Sequence, residues 1–403
     1  MESARVAGFG TSVFSEFSRL AVQHGAVNLG QGFPDFDGPK EVAQAAIDAI
    51  NGGVNQYAVG QGSPALRAAI AAHSKRFYGQ VLDPATQIGV TTGATEAIFN
   101  AVMAFTNPGD EVVLFEPFYD SYLASVQMAH AVPKFVRLRA PDAAHAQWWI
   151  EDAELEAAFT SKTKLVIINT PHNPTGKLFT RAELERIGEL TKNAGAVLMS
   201  DEVYEHLVFD DGKHVRPATL PGFDDFTLTI SSGGKTFSFT GWKIGWHLGR
   251  KELVTAVQKA HQWVTFCSAA PFQAAIGKAL ELPDSYFQGF VKDYAQKRDF
   301  LKAALTKAGF EVLPCAGTYF LMASTDKHRK PGEDDVAFCR RLLIDHGLAA
   351  IPPSVFYAPE HAHHVHGLAR FAFCKTQPVL DAAAERLAKL SPSPRGGERR
   401  GEG

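Results

Sequence analysis

Residues 231–246, SSGGKTFSFTGWKIGW, place one lysine, Lys235, directly after two glycines and an apolar run typical of a buried strand. Glycines at such a position let the backbone turn and approach a ligand closely. Lys243 adds a second positive charge that favours the neutral amine of Lys235, and together with the Ser232 hydroxyl it can bind a phosphate. The segment therefore predicts a lysine that forms a Schiff base and a phosphate anchor beside it, which suggests pyridoxal phosphate (PLP) chemistry.

A plainer interpretation is that Lys235 and Lys243 are solvated loop charges, as they would be in an isolated GGK sequence. Trp242 and Trp246 flank Lys243 in a segment of small and apolar residues. Such surroundings favour lysines that lie inside a site over lysines on a charged surface.

Length and composition indicate a large folded chain without strong charge. The 403 residues are 45% hydrophobic and carry a formal net charge of -3, so we expect an extensive core and no nucleic-acid partner. No apolar run approaches the ~20 residues of a membrane-spanning helix, and the N-terminus lacks the pattern of a secretory signal. We therefore expect a cytoplasmic protein with no membrane partner.

The cysteines and histidines do not indicate a metal site. The four cysteines are widely scattered, with neither metal-ligand nor disulfide spacing. The histidine cluster at residues 360–367, EHAHHVHG, has turn-like surroundings and no matched set of carboxylates or cysteines. We expect reduced cysteines, a solvated histidine loop and no bound metal.

Short apolar runs alternate with helical patterns through the middle of the chain. The runs lie at residues 88–91, 112–115, 165–169, 197–200 and 228–231. This alternation predicts an α/β fold with a mainly parallel sheet covered by helices. After about residue 290 the pattern changes to that of a smaller α+β domain.

We expect four parts along the chain, whose bounds follow this change of pattern. They are an N-terminal segment (1–45) that joins the small domain, a large cofactor-binding domain (46–288), a C-terminal small domain (289–390) and a disordered tail (391–403).

Candidate ligands follow the apolar runs, because ligands collect at the carboxyl ends of strands in open α/β sheets. Gly93, Ala94 and Thr95 begin a helical pattern, where backbone N–H groups can bind an anion, although ordinary capping explains them equally well. Tyr119, behind a proline, can stack on a flat ring. The alternative interpretation of Tyr119 is an aromatic residue of the hydrophobic core.

Two further runs end in polar residues. Asn173 follows one run within TPHNPTG, where neighbouring prolines hold it as a donor. Asp201 and Tyr204 follow the next. A buried carboxylate such as that of Asp201 needs a partner, and the protonated pyridine nitrogen of PLP is one. Tyr204 and Asn173 suit the 3-oxygen of the same ring. The alternative for Asp201 is a helix N-cap.

Arg370 lies within the apolar alternation of GLARFAFCK, which predicts a strand. A buried guanidinium without a partner is costly. Either a substrate carboxylate, bound bidentately, or an internal acidic residue would satisfy it.

In chain order these pieces resemble the class I/II aminotransferases, which are PLP enzymes of fold type I. The resemblance covers nearly the whole chain and is nearest to the branch of kynurenine and bacterial methionine aminotransferases, the methionine enzymes more closely. It is carried by NLGQGFPDFDGP, NQYAVGQGSPALR, TPHNPTG, SDEVYEH, GKTFSFTGWKIGW, GTYFL and AAIPPSVF. It implies a seven-stranded, mainly parallel sheet with helices on both faces and a smaller α+β domain.

The resemblance also implies roles for the site residues. Lys235 would bind the cofactor aldehyde and then move the proton as general base and acid. Asp201 would pair with the pyridine nitrogen, Tyr204 and Asn173 with the 3-oxygen, and Tyr119 with the ring face. The implied phosphate ligands are Gly93, Ala94, Thr95, Ser232, Lys243 and, from a neighbouring subunit, Tyr57.

The resemblance further implies how the substrate is bound. Arg370 would clamp the α-carboxylate with help from Asn173 and the Gly32 backbone. Phe14 and, from the partner subunit, Phe266 would line an apolar side-chain pocket. The kynurenine enzymes carry a tryptophan in place of Phe14 and a tyrosine in place of Thr95, so the order of preference among donors stays open.

We therefore expect a homodimer with shared active sites. It would transfer the amino group of methionine, an aromatic amino acid or kynurenine to a 2-oxo acid. Two alternatives are a cysteine-S-conjugate β-lyase on the same scaffold and a PLP-binding regulator. Regulators of this kind usually add a basic DNA-binding domain, and none precedes residue 30.

Overall fold

The computed structural model of this chain describes residues 2–3, 5–10 and 12–390. The tail at 391–403, predicted to be disordered, lies outside the described residues. The strands of the described part are β1 (Val27–Asn28), β2 (Ile88–Thr92), β3 (Glu111–Glu116), β4 (Val132–Arg139), β5 (Trp149–Ile150), β6 (Thr163–Asn169), β7 (Val197–Asp201), β8 (Thr227–Ser232), β9 (Ile244–Leu248), β10 (Glu311–Val312), β11 (Phe320–Ser324), β12 (Leu348–Ala349) and β13 (Leu368–Ala372).

Helices separate most of these strands. The α-helices are α1 (Val13–Gln23), α2 (Lys40–Asn51), α3 (Pro64–Tyr78), α4 (Gly93–Phe105), α5 (Asp120–Met128), α6 (Asp152–Ala157), α7 (Arg181–Asn193), α8 (Gly233–Thr236), α9 (Lys251–Val264), α10 (Ala270–Leu280), α11 (Asp284–Lys307), α12 (Asp335–His346) and α13 (Gln377–Leu387). Short 3-10 helices lie at Pro217–Thr219, Thr240–Trp242, Pro353–Phe356 and Pro359–Val365.

The central sheet has the strand order β2-β9-β8-β7-β6-β3-β4-β5. Strands β8, β7, β6, β3 and β4 pair in parallel, whereas β9 runs antiparallel to both of its neighbours. The predicted mainly parallel sheet is confirmed. Its seven strands are extended at one edge by the two-residue β5, which pairs antiparallel with β4.

Helices cover both faces of the sheet. Successive side chains of β3 point to opposite faces, so this strand packs against both helical layers. Val112 and Leu114 pack into a core that contains residues of α4 and α5. Val113 and Phe115 pack into a second core that contains residues of α6 and α7. A strand buried on both sides needs the continuous apolar run that the sequence shows there.

The smaller α+β part is built on an antiparallel sheet of order β10-β11-β13. The N-terminal segment joins it through β1, which pairs in parallel with β12. Two helices cross the predicted domain boundaries: α2 spans residue 45, and α11 carries Phe287 in one core and Leu301 in another. The division at residues 45 and 288 stays a prediction.

Several helix ends are fixed by local capping interactions. The Ser63 hydroxyl accepts the Leu66 N–H at the start of α3. Thr180 and Glu183 form the reciprocal capping box of α7. Gly347 ends α12 in the left-handed conformation at φ +65°. Among the described helices, none combines the length and the apolar character that a membrane crossing requires.

Strand β9 approaches the first turn of α4 closely enough to require a glycine. A Cβ atom on Gly245 would lie 2.4 Å from the carbonyl carbon of Gly93 and 2.6 Å from the amide nitrogen of Ala94. Both contacts are to backbone, which cannot rotate away. The close approach holds the N-terminus of α4 against the segment that carries Lys243.

We predict that Gly245→Ala destabilises the protein by about 1–3 kcal/mol, because β9 or α4 must shift to admit the methyl group. Urea unfolding of the purified variant measures this change. Gly241→Ala is the matched control, since a Cβ there meets nothing within 4 Å. Equal unfolding midpoints for the two variants would contradict the prediction.

Candidate active site

A cavity of about 520 Å³ lies where β2, β6, β7 and β8 end. It brings together thirteen of the fifteen predicted site residues, while Tyr57 and Phe266 lie outside it. The lining members are Phe14, Gly32, Gly93, Ala94, Thr95, Tyr119, Asn173, Asp201, Tyr204, Ser232, Lys235, Lys243 and Arg370.

Lys235 lies in the single turn of α8, which begins immediately after β8. Its Nζ donates to the carbonyl oxygen of Gly32 at 3.3 Å. The pKa of Lys235 is lowered to about 8, chiefly by burial and also by the charges of Arg370 and Lys243, against the opposing effects of Cys374 and Asp201. The amine is therefore far easier to deprotonate than an exposed lysine. Burial is the largest of these causes, and the charge of Lys243 is a smaller one.

Asp201 ends β7 with only 4% of its surface exposed. Its Oδ2 accepts the Tyr122 hydroxyl at 2.6 Å and its Oδ1 accepts the Val203 N–H at 3.3 Å. Burial raises the pKa of Asp201 to about 6, despite these hydrogen bonds. The residues that follow form a turn and not a helix, so the helix N-cap interpretation is wrong.

Arg370 is 1% exposed and has no acidic partner among the described ion pairs. Its guanidinium donates to Asn173 Oδ1 and to the Gly30 carbonyl, both at 3.0 Å, while its Nε has no partner. The group stacks 4.0 Å from the Phe320 ring centre. Burial lowers the pKa of Arg370 to about 10. The geometry therefore favours an external carboxylate over the internal acid that the sequence left open.

The other end of the cavity is suited to a phosphate. Gly93 begins α4 at φ +78°, and its missing Cβ would lie 3.1 Å from the Lys243 Nζ. Lys243 itself adopts the left-handed conformation at φ +55°, which costs a non-glycine residue roughly 1–2 kcal/mol. Ser232 occupies the N-cap position of α8, where its side chain makes no capping hydrogen bond. A helix N-terminus, an ammonium and a hydroxyl thus converge, as anion binding requires.

Tyr119 and Tyr204 border the space between these two ends. Tyr119 lies at the N-cap of α5, within hydrogen-bonding reach of Thr95. Tyr204 is 4% exposed, and burial raises the pKa of its phenol far above the usual range. Tyr204 therefore stays protonated and can donate to a ligand oxygen.

Among the residues of the site that were not identified from the sequence, three support the predicted residues directly. Tyr122 holds Asp201, and Phe320 lies against Arg370. Asn169 accepts the Asn173 N–H at 2.6 Å and donates to the Asp201 carbonyl at 2.9 Å. Asn169 offered a signal, since a buried amide at the end of an apolar strand must find partners. Tyr122 and Phe320 look like ordinary core residues.

Tyr57 and Phe266 form an edge-to-face pair outside the cavity, with ring centres 5.5 Å apart. Their exposed fractions are 84% and 50%. Trp263, on the preceding helix, is 83% exposed. The role of Tyr57 and Phe266 in the active site of a partner subunit stays a prediction.

The family model described as aminotransferase class I and II matches residues 25–387. The chain belongs to this family. Its fold is fold type I, as predicted, and the family's cofactor is PLP.

Three relatives span nearly the whole chain. The solved N-succinyldiaminopimelate aminotransferase of Mycobacterium tuberculosis is 46% identical, with a TM-score of 0.92 over 97% of this chain and 100% of its own. An Escherichia coli protein with a methionine aminotransferase function is 38% identical, with a TM-score of 0.90 over 97% of this chain and 100% of its own. The kynurenine–oxoglutarate transaminase of Dictyostelium discoideum is 40% identical over 96% of each chain.

The residues present fit PLP. The cavity offers a lysine with a lowered pKa, and a buried carboxylate that forms none of the described ion pairs. Its far end offers a phosphate-sized cluster of donors around Gly93. Each of these features is costly or strained without a ligand and is satisfied by one part of the cofactor.

We predict that Tyr122→Phe weakens PLP binding about 10- to 100-fold, because it removes a hydrogen bond to a carboxylate worth about 1.5–3 kcal/mol. The pKa of Asp201 then rises further, so less of the ionised form is present to pair with the ring nitrogen. Absorbance titration of the apoprotein with PLP measures the affinity. Tyr357→Phe, a buried tyrosine outside the cavity, is the control. An equal loss in both variants would refute the role of Tyr122.

We predict that the rate of PLP capture by the apoprotein rises about tenfold per pH unit below pH 8 and levels off above it, because only the neutral amine attacks the aldehyde. Stopped-flow absorbance follows the reaction. Lys243→Met should move the midpoint of this pH dependence slightly upward, since it removes a minor cause of the lowered Lys235 pKa. A midpoint near pH 10 in the unaltered protein would contradict the account.

Proposed function

We propose that this aminotransferase takes methionine and other amino acids with apolar or aromatic side chains, including kynurenine, as donors and a 2-oxo acid as acceptor. The observation that carries this proposal is the aromatic wall beside Arg370. The guanidinium carbon lies 4.0 Å from the Phe320 ring centre and 5.4 Å from that of Phe14. A substrate whose carboxylate binds Arg370 therefore extends its side chain along apolar rings.

The charges of the cavity support a neutral donor side chain. The cationic side chains among the described lining residues are Lys235, Lys243 and Arg370. In the proposed arrangement Lys235 serves the reaction, Lys243 the phosphate and Arg370 the α-carboxylate. A second substrate carboxylate would find no further cation among these described lining residues, and burying one unpaired is costly.

The position of each residue in the cavity supports its proposed catalytic role. Bound PLP supplies the electron-accepting ring that carries the amino group between substrates. Asp201 holds a proton at the ring nitrogen, and Tyr204 and Asn173 donate towards the 3-oxygen. Lys235, with its lowered pKa, accepts the substrate Cα proton at Nζ and returns it during the transfer. Asn173 accepts from Arg370 through Oδ1, which orients the guanidinium for the α-carboxylate.

N-succinyldiaminopimelate is the second candidate donor, because the Mycobacterium tuberculosis relative of that name shares 46% identity with this chain. Ser15, Ser18 and Gln31 line the cavity near Phe14, and Gln31 Nε2 donates to the Ser18 hydroxyl at 2.5 Å. These groups can hydrogen-bond a polar side chain but carry no positive charge. The described residues therefore favour the neutral donors.

We predict that methionine and phenylalanine convert the bound cofactor to its amine form with kcat/KM at least about tenfold above that for N-succinyl-L,L-diaminopimelate. Single-turnover absorbance without any oxo acid measures each donor. The reverse order would contradict the proposed donor class while leaving the aminotransferase assignment intact. Pyruvate release from a cysteine S-conjugate, without conversion of the cofactor, would instead support the β-lyase alternative.

We also propose a homodimer in which Tyr57 and Phe266 complete the partner's active site. Their exposure, together with that of Trp263, supports this proposal, since clustered exposed aromatic residues are typical of interfaces. The cytoplasmic location stays a prediction.

We predict that Lys235→Ala and Tyr57→Ala proteins, each impaired alone, regain about a quarter of wild-type activity after subunit exchange, because half of the dimers then contain one intact site. The assay is activity before and after mixing, with Lys235→Ala mixed with Val81→Ala as the control for other surface changes. A mixture no more active than its components would contradict shared sites.

A further inference from the structure

A cluster of metal-ligating side chains lies outside the cavity of the active site. His73 lies on α3, and Glu205 and His206 lie in the turn that follows β7. One ligand atom from each residue falls within 4.8 Å of the other two. His73 and Glu205 are each 5% exposed, and His206 is half-buried.

The two imidazoles face each other through the atoms that bind metals. The Nε2 atoms of His73 and His206 are 2.8 Å apart. Two N–H groups cannot point at each other at this distance, so at least one nitrogen presents a lone pair. Two imidazole nitrogens bound tetrahedrally at about 2.0–2.1 Å from a metal lie about 3.3 Å apart. Opening the pair by about 0.5 Å therefore admits an ion between them.

The carboxylate is already oriented by other groups, as carboxylates that bind metals usually are. Glu205 Oε1 accepts the Ser231 hydroxyl and Oε2 accepts Arg216, both at 2.6 Å. Arg216 also donates to Glu202 at 2.9 Å. Two carboxylates thus face one guanidinium, so the site tolerates an added positive charge.

The walls of the cluster are aromatic. The rings of Phe77 and Phe287 lie 4.7 and 4.6 Å from the His206 ring. Such a wall limits the access of water and strengthens metal–ligand bonds. The exposed side of His206 leaves a route of entry.

We propose that His73, Glu205 and His206 bind one divalent transition-metal ion of the Zn²⁺ class. Two imidazoles and one carboxylate form a ligand set that such ions prefer. The ion ties α3 to the turn that carries Tyr204 and begins just after Asp201, so it stabilises the segment that holds the active site. The site is independent of the amino donor.

The test uses the PLP-loaded protein, stripped with a chelator, incubated with Zn²⁺ alone and desalted. We expect about one zinc per chain by elemental analysis, and at least about tenfold weaker binding in both His73→Gln and His206→Gln. The matched control is His363→Gln/His364→Gln, which removes two exposed histidines and should retain the zinc. No retained zinc in the unaltered protein, or equal zinc in all four proteins, would overturn the proposal.

A second measurement covers the case in which the His73 or His206 variants fail to fold. The His363→Gln/His364→Gln control protein is loaded with Cu²⁺, and its electron paramagnetic resonance spectrum is recorded. We expect hyperfine splitting from two nitrogen nuclei, since two imidazoles bind the ion. A spectrum without nitrogen coupling would overturn the site even if no variant can be purified.

Discussion

The burial of two opposite charges without ionic partners is the constraint on which the rest of the site depends. Asp201 and Arg370 are almost wholly buried, yet neither forms an ion pair among the described residues. Isolated buried charges are expensive. Each is instead held by neutral groups, the Tyr122 hydroxyl for Asp201 and the Asn173 amide for Arg370. The protein therefore keeps one buried anion and one buried cation ready for the opposite charges that its ligands bring.

The scaffold keeps these charges apart at fixed positions. Asp201 ends a central parallel strand, whereas Arg370 lies on the small antiparallel sheet. Asn169 and Asn173 connect the two, since Asn169 bonds to both the Asp201 carbonyl and the Asn173 amide. A ligand that pairs with both charges must bridge the two sheets. The cavity thus derives its geometry from hydrogen bonds that uncharged side chains make to the backbone and to the Arg370 guanidinium.

The sequence predicts most of this arrangement, because the strand ends and the glycine turns are local signals. The apolar runs of β6 and β7 identified Asn173 and Asp201 as residues of the sheet edge. Sequence does not reveal partners that are distant along the chain. Tyr122 reaches Asp201 across 79 positions and His73 reaches His206 across 133, and only tertiary packing brings them together.

Other features escaped prediction for different physical reasons. The edge strand β5 is two residues long, too short for a period to show. The helices α2 and α11 each run across a predicted domain boundary, because a helix can serve two cores with different faces. The proposed donor preference rests on a few side chains around Phe14, and relatives with three different named activities match this chain over nearly its whole length.

The stability of the apoprotein with and without the Asp201 charge tests the central claim most directly. The pKa of Asp201 is about 6 in the fold, against a usual value of 3.8, so the ionised carboxylate costs stability as pH rises through this window. We predict that apo Asp201→Asn is more stable than the unaltered apoprotein by about 3 kcal/mol at pH 8. The difference should vanish below about pH 3, where the carboxyl is protonated in both the folded and the unfolded state, and PLP should stabilise the unaltered protein more than the variant. An apo variant that is less stable at pH 8 would contradict the account, because Asp201 would then be satisfied without its ligand.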